Sequence, residues 1–405
     1  MVIGAGVTGL SFVDELLYST TDLTFIIIDK YSQPGGHWNN SYDFVTLHQP
    51  AHFFGVKSLP LSSGTNDLSS HNELRVYFEH VMKNFLSTGR VKYFPQCEYK
   101  GGSSFQSLLE PDQLHEVKVN KKIVNAAYIG PYNNIPATRT PTFHVGPDVH
   151  MVPVNGLSHT KAAWERYVII GGGKTGIDAV LFLLDRSVKA DRITWIIPND
   201  SWLVNRKFVF VDRLSESIFH DTSPILKSET FDQLLKTWEE SNKIIRLDPT
   251  VTPKAFKAAT VSEDEVNKLR LVKNILRQGR VDRLERGSII FINGEQVETD
   301  TNTLFVDCTA NGAPPIPATP IFDGSRITLQ TTRVFQPAYS ASVIAAFEAR
   351  FPDDEEKKNR LLAPIETPQS LESFMYVCKQ YLMNENNVAQ TLGFRWLRSN
   401  HLDWN

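Results

Sequence analysis

The sequence predicts an α/β chain assembled from two βαβ units, the second inserted in the first. Three observations lead there. Two glycine turns, Gly4-Ala5-Gly6-Val7-Thr8-Gly9 and Gly171-Gly172-Gly173-Lys174-Thr175-Gly176, each stand between an apolar strand and a helix. Runs such as Phe25-Ile26-Ile27-Ile28 and Val168-Ile169-Ile170 are continuously apolar and rich in β-branched residues, the pattern of parallel strands covered on both faces. The chain has 405 residues, enough for two or three domains.

In chain order, the first unit needs a strand at the start, a helix over residues 8–18 and a strand over residues 23–28. The opening strand is short: Met1-Val2-Ile3 runs straight into Gly4. A buried strand usually has about five residues, so the natural chain is expected to begin a few residues earlier. Residues 33–64 carry little periodicity and read as a long ordered loop, of the kind that serves function. A helix over residues 72–86 follows from Leu74, Tyr77, Phe78, Val81 and Phe85 at helical spacing, with Ser69 or Ser70 as its cap. Strands are expected over 91–99, 114–119 and 122–128. The proline-rich stretch 131–153 reads as a crossing between domains.

The second unit repeats the scheme with a strand over 166–170, a helix over 177–185 and a strand over 193–197. Helices over 231–242 and 263–277 read as an insertion, and strands are expected over 288–292 and 303–307. A helix over 337–350 starts at Pro337, where the missing N–H costs nothing. Residues 370–405 are mostly helical. The expected organisation is therefore a discontinuous first domain, 1–130 with 300–405, and a second domain over 155–300.

Composition removes several classes. The net charge of −3 and pI near 6.4 give no basic surface for nucleic acid. No apolar run has the length of a membrane span, and the chain is expected in the cytoplasm. Cys97, Cys308 and Cys378 form no Cys-x-x-Cys pair, which speaks against a redox dithiol or a zinc knuckle and for three small buried side chains.

The glycine turns carry the chemistry. Gly4 allows a tight turn, Gly6 lets backbone approach a pyrophosphate, and Gly9 lets the helix close on the strand. The helix start then offers free N–H groups to phosphates, and Asp29, 20 residues beyond Gly9, is the acid for a ribose. Ala5, Thr8 and Lys30 flank these positions. Gly171, Gly173 and Gly176, with Lys174 and Thr175, form a second site of this Rossmann-like kind. One such turn suits a single-cofactor dehydrogenase; two suit an enzyme that passes a hydride from a nicotinamide to FAD. At the second site Asp200 suits the 2′-hydroxyl of NAD, while Arg206 and Lys174 are the nearest cations for the 2′-phosphate of NADP, so both coenzymes stay open.

The loop 47–54 is the other rich patch. His48 and Gln49 are candidates for hydrogen bonds to a flavin's reactive edge, Leu47 for packing on it, and Phe53 and Phe54 for core. His48 and His52 stand four apart but lack a third ligand, so no metal site is expected. Gln336 opens the helix at Pro337, whose dipole suits a flavin carbonyl or an anionic reduced flavin.

These residues resemble the flavin-containing monooxygenases and related class B flavin monooxygenases. Gly35-Gly36-His37-Trp38 is similar to their Gly-Gly-x-Trp element. Tyr42–Pro50 looks like their segment from a tyrosine to an active-site asparagine, with His48 in the asparagine's place. Gly173-Lys174-Thr175-Gly176-Ile177-Asp178 is similar to their second turn, with Lys174 where they carry asparagine. Trp202-Leu203-Val204-Asn205-Arg206 resembles their Trp-Val-x-x-Arg stretch, and Asp307-Cys308-Thr309-Ala310-Asn311-Gly312 a late segment of theirs. The 2′-phosphate arginine is absent, and their Phe-x-Gly-x-x-x-His signature is garbled over residues 143–150. The resemblance adds Gly36, His37 and Trp38 to the FAD site. It implies hydride transfer to flavin N5 and transfer of one oxygen from a C4a-(hydro)peroxyflavin to a small organic substrate, with molecular oxygen consumed. A flavin reductase or oxidase without oxygen insertion, and a non-catalytic nucleotide-binding protein, are the other readings.

Overall fold

The computed structural model describes residues 1–62, 64–128, 136–211, 223–309, 316–366 and 371–403. Ala310 to Gly312, and the start of the proline-rich crossing, lie outside the described residues. In chain order come β1 (Val2–Ile3), α1 (Val7–Ser19), β2 (Phe25–Ile28), α2 (His71–Ser87), β3 (Val91–Phe94) and β4 (Ile123–Asn125). Next are β5 (His150–Pro153), β6 (Arg166–Ile170), α3 (Lys174–Asp185), β7 (Ile193–Ile196), β8 (Ser201–Asn205), α4 (Phe231–Glu240), β9 (Ala255–Val261), α5 (Glu263–Leu269), β10 (Asn274–Leu276) and β11 (Thr303–Asp307). The last are β12 (Phe322–Asp323), β13 (Arg326–Thr328), α6 (Pro337–Arg350), α7 (Glu355–Leu361) and α8 (Leu371–Ser399), which is broken at Gly393.

Two compact units result. One holds Met1–Asn39, Pro50–Tyr132 and Pro315–Asn405; the other holds Asn40–Gln49 and Asn133–Pro314. The crossing's residues 133–154 join the second unit, and the division differs from the expected boundaries in two places: residues 40–49 and 300–314 also belong with the second unit. The last shift has a clear cause, since β11 pairs in parallel with both β6 and β5 and so belongs to their sheet.

The first unit is built on a six-stranded sheet of order β12-β13-β4-β1-β2-β3, parallel except for the β12–β13 hairpin. Helix α6 buries ten of its residues and packs on α1. Glu15, buried on α1, holds Lys57 at 3.0 Å, Trp396 Nε1 at 3.0 Å and Ser342 Oγ of α6 at 3.3 Å. The carboxyl end is tied in by Arg333, which is 3% exposed. Its guanidinium donates to Asp403 (2.7 Å), pairs with Glu385 of α8, donates to Gln336 Oε1 (3.2 Å) and stacks 3.8 Å from the Tyr339 ring centroid.

The second unit has a five-stranded, wholly parallel sheet, β5-β11-β6-β7-β10. Beside it β8 pairs with β9. Its main core gathers Ile169, Ile177, Val180, Trp195, Val261 and Val306.

Most elements sit within two residues of their expected bounds. The helix expected over 263–277 is the main exception: it ends at Leu269, and Asn274–Leu276 pairs with β7 as an edge strand. The strand expected over 91–99 is two strands in different sheets. All three cysteines are buried and none is in a disulfide. Among the described residues, no helix is long and apolar enough to cross a membrane.

Candidate functional site

Each unit carries the same local construction. In the first, Gly4 leaves β1 with φ +104° and donates its N–H to Ile28 O (2.8 Å), and a Cβ on Gly9 would stand 2.2 Å from Gly4 O. In the second, Gly171 leaves β6 with φ +126° and donates to Ile196 O (3.0 Å), and a Cβ on Gly176 would stand 2.0 Å from Gly171 O. Only glycine fits at Gly9 and Gly176, because the helix starts against the turn.

Among the described helices of seven to seventeen residues, the starts divide into two sorts. The first turns of α2, α4, α5 and α7 are capped by the side chains of Ser70, Thr230, Ser262 and Asp354, and each has an acidic residue there. Those of α1, α3 and α6 have no side-chain cap and no acid. The N-caps of α1 and α3 are Gly6 and Gly173, and a Cβ on Gly173 would meet nothing within 4 Å. Such ends keep their N–H groups and positive dipole end for an anion or an acceptor from elsewhere.

Around the first turn, Asp29 is buried and accepts two backbone N–H groups, from Ala5 and from Tyr31 (2.8 Å). Desolvation raises its pKa, against the pull of those two bonds. Thr8 Oγ1 donates to Ala126 O at 3.3 Å, and Lys30 is exposed beside Tyr31. Gly36 has φ +60°, and a Cβ there would come 2.9 Å from Gly6 Cα, so the Gly-Gly-His-Trp element closes against the turn. Trp38 is buried edge-on to Phe54, while His37 is exposed. In the same unit Gln336, 3% exposed, caps the start of α6 with backbone only, and its amide Nε2 is buried without a partner among the described residues. A flavin dinucleotide fits these groups, since it brings a pyrophosphate for a glycine-capped helix, ribose hydroxyls for a carboxylate, and ring carbonyls for a buried amide donor.

The second turn collects the segment 40–49. Tyr42 donates to Asp178 Oδ2 (2.7 Å), which also pairs with Lys174 at the first turn of α3. Burial and the Asp178 charge raise the Tyr42 phenol well above its usual pKa. Phe44 stacks on Phe182 of α3 with centroids 4.1 Å apart. Leu47 is buried, Gln49 is half-buried and His48 is exposed. The His48 carbonyl accepts from Arg206 Nε (3.2 Å); although the residue reaches solvent, the protein packed around the ring desolvates it, and this with the Lys174 and Arg206 charges lowers its imidazole pKa.

The two cations expected for a 2′-phosphate are thus engaged with protein. Lys174 turns back to Asp178. Arg206, 7% exposed, spends its Nε on His48 O and its Nη2 on Thr260 O (3.3 Å) and Glu265 (2.8 Å). Asp200 is likewise engaged: Arg277, just past β10, gives it Nε (2.8 Å) and Nη2 (3.1 Å). Sequence reasoning missed Arg277 because it read that stretch as helix. It also missed Arg139, which pairs with Asp307 (3.3 Å) and Thr309 Oγ1 (2.6 Å) at the end of β11, where the Gly171 turn lies against the Cys308 carbonyl. No sequence pattern announced either.

The comparisons with known proteins agree with this construction. No family model matches the chain. It is 37% identical to the uncharacterized protein Rv2000 of Mycobacterium tuberculosis, over 100% of this chain and 75% of that one. Among solved structures, cyclohexanone monooxygenase with bound cyclohexanone superposes with TM-score 0.59 at 15% identity, covering 96% of each chain. OTEMO in complex with FAD and NADP gives 0.56 at 14%, covering 95% of this chain and 90% of that one. The chain therefore belongs to one family with the mycobacterial protein Rv2000, and its fold is that of the class B flavin monooxygenases.

Proposed function

We propose that the chain is an FAD-dependent, nicotinamide-using oxidoreductase of the monooxygenase kind, acting with molecular oxygen on a small organic substrate. The observation that carries this reading is the set of three helix starts left without side-chain caps, α1 and α3 at the two glycine turns and α6 behind Gln336. The fold it shares with FAD- and NADP-bound neighbours supports it.

The residues divide the work. Gly4, Ala5, Gly6, Thr8 and Gly9, with Gly36, would hold the flavin pyrophosphate at the α1 start, and Asp29 would accept the ribose hydroxyls. Gln336 Nε2 and the first N–H groups of α6 would donate to the ring's carbonyl side and favour negative charge there. Gly171, Gly173, Lys174, Thr175 and Gly176 would hold the nicotinamide pyrophosphate. Flavin, when bound, supplies hydride acceptance at N5 and the activation of oxygen. His48 enters as a neutral imidazole at neutral pH, able to donate one hydrogen bond and accept another, with Gln49 beside it.

The test is spectroscopic. Protein reconstituted with FAD should show a flavin band that a reduced nicotinamide bleaches without oxygen; failure of both NADH and NADPH to bleach it refutes the reading. Readmitting oxygen with small ketones, the class of the cyclohexanone held by one neighbour, should give oxygenated product in step with coenzyme used. Hydrogen peroxide alone from every substrate tried points to a reductase or oxidase instead.

A further inference from the structure

The second unit shows which reduced nicotinamide it suits, granted the reading that its glycine turn holds one. We propose that the coenzyme is NADH, and that the Asp200–Arg277 pair disfavours the 2′-phosphate of NADPH.

The acid that reads a ribose in the first unit is Asp29, directly after β2. The residue directly after β7 is Ile197, 2% exposed, and a Cβ on Gly172 would stand 2.7 Å from its Cγ2. This position gives a phosphate no ligand. The next strand end supplies the guanidinium, since β10 lies beside β7 and Arg277 follows it.

Arg277 is already committed. Its Nε and Nη2 face both oxygens of Asp200, and Nη2 lies 3.4 Å from Asp248 Oδ2. Asp200 is 9% exposed at its side chain, so its carboxylate has no room to swing into solvent. Two carboxylates face this guanidinium, and Arg270 also acts on Asp248. A 2′-phosphate arriving here finds the Nε–Nη2 fork taken and meets the Asp200 carboxylate that holds it. The 2′-hydroxyl of NADH is uncharged and needs only an acceptor, and each Asp200 oxygen keeps a lone pair. Arg270 is close enough to act on Asp248 but spends its Nε and Nη2 on the Leu247 and Arg246 carbonyls (2.9 and 2.8 Å), and Lys254, whose backbone N–H bonds the Asp200 carbonyl (3.1 Å), has an exposed side chain.

Titration calorimetry of the FAD-loaded protein decides this without turnover, using ADP-ribose and 2′-phospho-ADP-ribose as probes. ADP-ribose should bind at least tenfold tighter at low salt. Raising salt should narrow the ratio, because repulsion is screened. Asp200→Asn, which frees the guanidinium, should tighten the phosphorylated probe about tenfold. Asp248→Asn, at a partly exposed position with little risk to folding, should tighten it two- to fivefold. Wild-type preference for the phosphorylated probe overturns the proposal, including a preference that Lys254→Ala abolishes. So does a ratio unmoved by salt and by both variants. If FAD binds but neither probe does, the nicotinamide reading of the second turn falls as well.

Discussion

Asp29 and Ile197 occupy the same place in the two glycine-turn units. Each follows the second strand, and each donates its backbone N–H to the last residue of the third, Phe94 (3.1 Å) or Leu276 (2.9 Å). One is a carboxylate and the other a hydrocarbon. At Asp29 the neighbouring turn answers with a hydrogen bond from Ala5; at Ile197 it answers with the bare backbone of Gly172. Asp29→Ala should therefore strand two N–H groups, one of them buried, and cost about 2–4 kcal/mol. Denaturant unfolding checks this, and FAD affinity should fall with it. Ile197→Val should cost only about 1 kcal/mol and leave FAD binding intact.

The glycines of the second turn should separate folding from binding. Gly176→Ala places a methyl on the Gly171 carbonyl and should cost 3 kcal/mol or more, about the upper range for overpacking. Gly173→Ala meets open space at an ordinary φ of −88°, so its melting temperature should move little, by about the 1 kcal/mol of a poorer N-cap. Its nucleotide affinity should drop at least tenfold. Thermal melts beside nucleotide titrations would show the split, and equal effects of the two variants would refute it.

The segment 40–49 is pinned at both ends, by Tyr42 on Asp178 and by Arg206 on the His48 carbonyl. Tyr42→Phe keeps the ring but removes the donor, and should cost about 1 kcal/mol. Arg206→Ala leaves Glu265 with only the Ser262 N–H among the described residues and takes a donor from two carbonyls, and should cost more, about 3 kcal/mol. Hydrogen exchange over residues 41–49 should quicken in both, and more in the second.

Arg333 bridges Asp403 and Glu385. Arg333→Ala should destabilise the first unit by about 3–5 kcal/mol, because two carboxylates are left facing each other in the interior. Arg333→Lys should rescue little, since the planar fork and its stacking on Tyr339 are lost. The same variants should also disturb the flavin absorption band, as Gln336 loses its hold.

Burial raises the Glu385 pKa despite the Arg333 charge. The folded state then binds a proton that the unfolded state, near 4.5, has released. Its contribution is therefore greatest at the acid end and is lost as pH rises through the raised folded value. Glu385→Gln does not titrate. Its melting temperature relative to wild type should climb from about pH 4.5 upward and level off above the folded pKa. A difference that stays flat from pH 4.5 to 8 would contradict this.

The glycine turns, both second strands and the helix from Pro337 were legible because their signals are local. Spacing, β-branched runs and a proline report on the few residues around them. Arg277 was not legible. Its strand has three residues and follows a capped helix closely, so the periodicity of α5 runs on through it, and only pairing with β7 makes it a strand. The same holds for residues 40–49. Their sequence follows the first unit without a break, yet their partners, Asp178, Phe182 and Arg206, lie more than 130 positions later. Asp200 shows a third limit. Its position suggested a ribose, but a charge read from sequence does not reveal which counter-charge already holds it.

The interleaving of the units has a consequence for the order of assembly. The first unit opens the chain with β1, α1 and β2, yet α1 is covered by α6, and its Glu15 waits for Ser342, 327 residues further on. During synthesis that apolar face must stay uncovered while the whole second unit emerges. The second unit needs no residue beyond Pro314, so it can close first. Contacts of such long separation form slowly, and a helix left without its partner invites association with other chains. Refolding should accordingly show a fast phase for the second unit and a slow, concentration-sensitive phase for the first, in which the opening segment captures the closing one last.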